Sequence, residues 1–137
     1  MNIKYLAFGI CIAFVLLCAF VGVSVAFAKT IYVPDDYAKI RWAVDNASAG
    51  DTIIVRDGTY TENVDVNVDN LTIRSENGSV NCTVQANSNN HVFEVTADCV
   101  NILGFTIEGP TGSGIYLGSG VDHCNISNNN GLYMEFI

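Results

Sequence analysis

The apolar residues of this chain follow three rhythms. From Tyr5 to Val25 they run almost unbroken and without a charged residue. Farther on, Tyr37, Ile40, Val44 and Ala47 recur at helical spacing with Ala43 on the same side, and Gly50 ends the run. Asp35 or Asp36 is placed to cap that helix over residues 36–47. Trp42 lies off its apolar face, so it either packs under another segment or stands exposed. From Thr52 onward the rhythm is that of strands. Thr52-Ile53-Ile54-Val55 is a short strand, Asp57-Gly58 signals a turn, and Val64, Val66 and Val68 alternate with Asp65, Asn67 and Asp69.

At Asn70 the alternation slips by one position, and Leu71 and Ile73 become the inward pair. A slip inside a continuous β run marks a corner, and Asn tolerates the left-handed backbone a corner needs. The pattern then recurs. Phe93/Val95 maps onto Ile115/Leu117 at an offset of 22 residues, and Val100/Ile102 onto Cys124/Ile126 at an offset of 24. Strands of three to five residues in a repeat of this period fit a coil of three strands and three turns. The expected fold is therefore all-β, a right-handed parallel β-helix. The helix is expected to cover its first sheet edge, which would otherwise invite aggregation. The final segment, Gly131 to Ile137, reads as one more apolar stretch, so residues 29–137 are expected to be the cap and first coils of a truncated or partner-continued stack.

The first rhythm places the protein. Lys4, the apolar run and Ala26-Phe27-Ala28 before Lys29 have the order of a secretory signal peptide cleaved after residue 28. The run is also long enough to span a bilayer, so an uncleaved N-terminal membrane anchor over residues 5–25 is the competing expectation. Both put residue 29 onward outside the cytoplasm, secreted or on the cell surface. Beyond residue 28 stand five basic side chains and all fourteen acidic ones, a formal charge of −9. That balance excludes nucleic acid as a natural partner. Three of the five cysteines remain there, Cys82, Cys99 and Cys124, too few for a disulfide framework. Cys82 and Cys124 should face inward and Cys99 outward. Asn-x-Ser/Thr sequons at Asn46, Asn70, Asn77, Asn81 and Asn125 are glycan acceptors in a host that glycosylates.

Candidate chemistry is sparse. Asp98 and Asp122 occupy one place in two repeat units, so in adjacent coils their carboxylates would lie about 4.8 Å apart. The plain reading is a turn residue used twice. A Ca²⁺ ion held with further oxygen ligands is the sharper one, and an acid/base pair a third. Asn70, Asn101 and Asn125 could form an asparagine ladder at a corner. His91 and His123 read as surface turn residues. No catalytic set is legible, and copper sites want clusters of His, Met or Cys that this spacing does not offer.

Ile31-Tyr32-Val33-Pro34-Asp35-Asp36-Tyr37, Ile40 to Ala47, Gly50-Asp51-Thr52-Ile53-Ile54-Val55 and Gly58-Thr59-Tyr60-Thr61-Glu62-Asn63-Val64 together resemble the N-terminal cap and first coil of pectin-lyase-like β-helix proteins. The nearest subgroup is the NosD-type and archaeal surface-protein β-helix repeats, and the Gly-Thr-Tyr-x-Glu-Asn-Val segment is also similar to the first coil of pectin methylesterases. The resemblance implies the fold and leaves activity open. It is compatible with an exported envelope protein that is structural or contacts polysaccharide or other envelope proteins. It is also compatible with the N-terminal part of a polysaccharide lyase, hydrolase or esterase, or with NosD-type copper handling.

Overall fold

A computed structural model describes residues 27–109, 112–131 and 134–136 of the chain. The expected signal or anchor segment lies outside the described residues. Among the described residues, no helix is long and apolar enough to cross a membrane.

The chain winds into a parallel β-solenoid. Strand β1 (Thr30–Val33) and helix α1 (Ile40–Asp45) precede the first full coil, made of β2 (Thr52–Val55), β3 (Gly58–Thr61) and β4 (Val64–Val66). The second coil is β5 (Thr72–Ser75), β6 (Cys82–Gln85) and β7 (Phe93–Val95), and the third β8 (Asn101–Leu103), β9 (Thr106–Glu108) and β10 (Ile115–Leu117). Strands β11 (Asn125–Ser127) and β12 (Met134–Phe136) belong to a fourth. Three sheets result, in the orders β1-β2-β5-β8-β11, β3-β6-β9 and β4-β7-β10-β12. Every pairing is parallel and joins one coil to the next.

Register explains why these short strands hold. Ile31, Ile53, Ile73, Ile102 and Ile126 pair one above another, an isoleucine at each level of the first sheet. Tyr60, Val84 and Ile107 stack in the second sheet, and Val64, Phe93 and Ile115 in the third. Strands of three residues have little stability alone. Stacked, their inward side chains form one continuous column, and each buried Ile or Phe contributes about 1.5–3 kcal/mol. Phe93 and Phe105 fill the centre with ring centroids 5.8 Å apart.

The offsets of 22 and 24 hold where they were read, from β7 to β10 and from β8 to β11. They are not a constant period. Paired residues in the first sheet are separated by 20, 29 and 24 residues in successive coils (Thr52, Thr72, Asn101, Asn125). The segments 76–81 and 86–92 take up the added length outside the strands. Gly104 shows how tight the corners are: a Cβ there would stand 2.6 Å from Ser75 Oγ of the coil below.

The helix is shorter than its spacing predicts, and its cap comes from elsewhere. Asp36 Oδ2 accepts from Tyr32 N, and Asp35 pairs with Arg56, so neither caps α1. The buried Glu62 does so from 21–22 residues away. Its Oε1 accepts from Ile40 N at 3.0 Å and its Oε2 from Arg41 N at 2.9 Å. A carboxylate across a helix N-terminus satisfies free donors and opposes the helix dipole. Ile40, Ala43 and Val44 are buried, and α1 packs on β4, β1 and β2. The expected cover is thus present over β4. The first sheet is instead begun by β1, a strand of its own.

Replacing Glu62 by Ala leaves two helix donors unpaired and should lower unfolding stability by about 1–3 kcal/mol. Urea titration followed by circular dichroism measures this, and Glu62→Gln, which keeps one acceptor oxygen, should lose less. A second expectation concerns the thiols. Burial, helped by Asp57, pushes Cys82 up to about 12, so at pH 8 only about one part in ten thousand is reactive thiolate. Cys99 is exposed. Alkylation of the native protein at pH 8 and peptide mapping should label Cys99 and spare Cys82.

Candidate functional site

Two regions gather polar side chains beyond what the coils need. One is the corner between the third and first sheets. The other is a groove beside the cap helix.

At the corner, Gly50, Asn70, Cys99 and His123 occupy the same position in successive coils, each two residues before the paired Thr52, Thr72, Asn101 and Asn125. Their φ angles are 93°, 56°, 58° and 60°. Asn70 is therefore a left-handed corner residue, as its phase slip implies. Cys99 and His123 take the same conformation without the local hydrogen bonding that makes it easy for Asn. The asparagine ladder is corrected by this register. Asn101 and Asn125 pair in the strands, and the rung below them is Thr72, whose Oγ1 accepts from Asn101 Nδ2 at 3.2 Å. Asn70 stands two residues away in the corner.

One residue before this column runs a row of aspartates. Asp69 Oδ1 accepts from Asp98 N, and Asp98 Oδ1 accepts from Asp122 N, both at 2.9 Å. Asp98 and Asp122 are thus brought into adjacent coils, together with Asp69. Each lower carboxylate spends one oxygen on the backbone of the coil above, and these charge-assisted bonds offset the stacking of like charges. Among the described residues, no group of three or more His, Cys, Asp or Glu is arranged to hold a metal ion.

The remaining candidates are dispersed. His123 is in the corner column. His91 precedes β7 and stacks on Tyr116, ring centroids 4.5 Å apart, with its Nδ1 buried and unpaired. Cys82 is buried, Cys99 exposed and Cys124 between, all free thiols, so the inward and outward assignments agree with the structure. Arg56 is held by Asp35 at 2.6 Å and Glu76 at 2.8 Å. The five sequon asparagines, Asn46, Asn70, Asn77, Asn81 and Asn125, are all exposed. Asn77 Nδ2 is engaged by Asp57 at 3.0 Å, and Asn46 Nδ2 by Trp42 O at 2.9 Å.

The groove escaped the sequence reading. It has a volume of about 550 Å³ and lies between α1, the turn from β3 to β4, and the loop from β6 to β7. Trp42 stands at its side, 48% exposed, with Lys39 Nζ 5.2 Å from the ring centroid. Asn63 fixes the far wall. Its Nδ2 donates to His91 O at 2.6 Å, and its Oδ1 accepts from Asn87 N at 3.1 Å and Ser88 Oγ at 3.0 Å. The available signal was Trp42 itself, a large aromatic off the apolar face of its helix. What it faces comes from a loop more than forty residues later, which periodicity does not reveal.

With this geometry the chain defines a parallel β-solenoid carrying a polar groove at its capped end. Over 106 residues it is 36% identical to the cell surface glycoprotein of Methanothermus fervidus, a match that takes in 76% of this chain and 17% of that protein. The chain thus spans about a sixth of the length of that relative. No family model and no solved structure matches it.

The aspartate row gives a direct expectation. Asp98→Ala removes the acceptor for Asp122 N and should cost about 0.5–1.5 kcal/mol, whereas Asp98→Asn keeps an acceptor and should cost less. Chemical denaturation compares them. Calorimetry with millimolar Ca²⁺ checks the cation reading: heat that vanishes in Asp98→Asn would show that Asp98 contributes to a cation site as well as to the row.

Proposed function

We propose that this chain is part of an exported cell-envelope protein, in which the β-helix is a structural element that presents a surface for carbohydrate or protein contact. The observation that carries the reading is the match to a cell surface glycoprotein across most of the solenoid. The fold agrees with it. Its core is one continuous apolar column, and its outward positions are largely polar, as in Asp65, Glu94 and Tyr116 along the third sheet. Such a stack is a continuous support whose outward positions are not needed by the core.

Within parallel β-helices, the segments from Ile31 to Val64 favour the pectin-lyase-like group and its archaeal surface-protein branch. The leader is read as the export signal or anchor, and the exposed sequon asparagines as the sites where envelope glycans are attached. Asn70 and Asn125 are favoured as acceptors, since Asn46, Asn77 and Asn81 use their amides within the fold.

The test is made on intact cells that produce the protein. Protease added outside should remove residues 29–137, and mass spectrometry of the released peptides should find glycan at Asn70 or Asn125. A chain that resists outside protease until the cells are lysed would end the surface reading.

A further inference from the structure

We infer that the groove beside the cap helix is a binding site for neutral glycans, with Trp42 as its stacking platform. This deepens the envelope reading, since it assigns the carbohydrate contact to one place and one chemical class.

The first argument is the ring. An indole is a costly group to leave in water, yet Trp42 is 48% exposed on a helix whose other face is fully buried. It does not fill a gap in the core. Lys39 lies over the ring and helps to hold it in place. A pyranose carries a face rich in C–H groups, and such a face stacks on indole while its hydroxyls stay hydrogen-bonded at the rim.

The second argument is the set of groups around the ring. Arg41 and Asp45 come from the same helix and Asp65 from β4. Their side chains are unpaired among the described residues. Planar carboxylates accept from two hydroxyls at once, and a guanidinium donates to two oxygens in a fixed fork. Adjacent hydroxyls on a sugar ring present that spacing of donors and acceptors. The volume of about 550 Å³ suits one or two sugar rings.

The third argument is charge. Lys39 and Arg41 oppose Asp45 and Asp65, and the Glu62 carboxylate on the floor is committed to the helix N-terminus. Two cations against three acids leave the groove with a formal charge of −1, close to neutral in a protein whose formal charge is −8. An acidic polymer would meet a strongly negative molecule in which the two groove cations are outnumbered by acids, and nucleic acid is disfavoured on the same ground. A neutral glycan meets no such penalty.

The fourth argument is preorganisation. Both oxygens of Glu62 and both ends of the Asn63 amide are bonded to backbone or to the opposite wall. The walls are held before any ligand arrives, which lowers the ordering cost of binding.

Trp42 is the only tryptophan in the chain, so its fluorescence reports this site alone. The purified full chain is titrated with mannohexaose, maltohexaose and the hexamer of N-acetylglucosamine, with an oligogalacturonate as the acidic comparison. At least one neutral oligosaccharide should shift or quench the emission saturably, with a Kd between about 10 μM and 1 mM. Calorimetry should then show binding weakened at least about tenfold in Trp42→Ala and in Asp65→Ala, a loss of about 1.4 kcal/mol or more. Both residues are exposed, and unchanged thermal melting confirms that the variants fold. No response to any neutral sugar at about 10 mM, a response to the oligogalacturonate alone, or full binding by Trp42→Ala would each overturn the proposal. The two readings fail separately. A chain found on the cell surface that ignores all four sugars loses the groove assignment only, and one that binds a neutral sugar but is not surface-exposed loses the envelope reading only.

Discussion

The carboxylate of Glu62 joins the cap of this protein to its solenoid. It belongs to the turn between β3 and β4, and it closes the N-terminus of a helix that the chain made some twenty residues earlier. A six-residue helix does not persist alone in water, because nucleation costs more than so few bonds return. Here two free donors are satisfied by a charged acceptor, and three apolar side chains sink into the column shared with the strands. The helix therefore depends on the first coil for its stability. The same carboxylate makes the floor of the groove and fixes the helix that carries Trp42, so the cap, the first coil and the candidate site depend on one buried acid.

Much of the scaffold was legible in the sequence, for a physical reason. Inward positions of a β-coil must be apolar at every second residue, so Val64/Val66, Phe93/Val95 and Ile115/Leu117 announce their strands directly. The corner at Asn70 was legible too, since a slip of phase has few other causes. The coil lengths were not, because the corners absorb extra residues without disturbing the strands. A register read from two well-spaced pairs therefore does not extend to the loops at 76–81 and 86–92. The asparagine ladder failed on the same point. Asn70 and Asn101 both precede an inward residue, but only pairing across coils shows that one is in a corner and the other in a strand.

The candidate site was less legible than the fold. Glu62 reads as one acid among fourteen until its partners are known, and those partners are backbone groups that no motif records. Asn63 is the same case, for its amide bridges a turn to a loop 24 to 28 residues onward. The aspartates at 98 and 122 were paired correctly from spacing, and the structure adds what spacing could not: each carboxylate has backbone work to do. Sequence periodicity reports on the inside of a solenoid. The outside, where recognition occurs, is assembled from unlike loops and must be read from coordinates.

Because every described strand pairs with the coil above or the coil below, the sheet hydrogen bonds run along the axis of the stack. Tension applied along that axis is carried in series, the same load crossing each rung from coil to coil. A coil with a neighbour on one side only has the fewest contacts to hold it, so its short ladders open before those of the coils inside the stack. Such a chain yields coil by coil and lengthens as it does so, taking up mechanical work in many small steps. Unwinding from one end would leave the coils beyond it closed, each still held by its own rungs and its own isoleucine in the column.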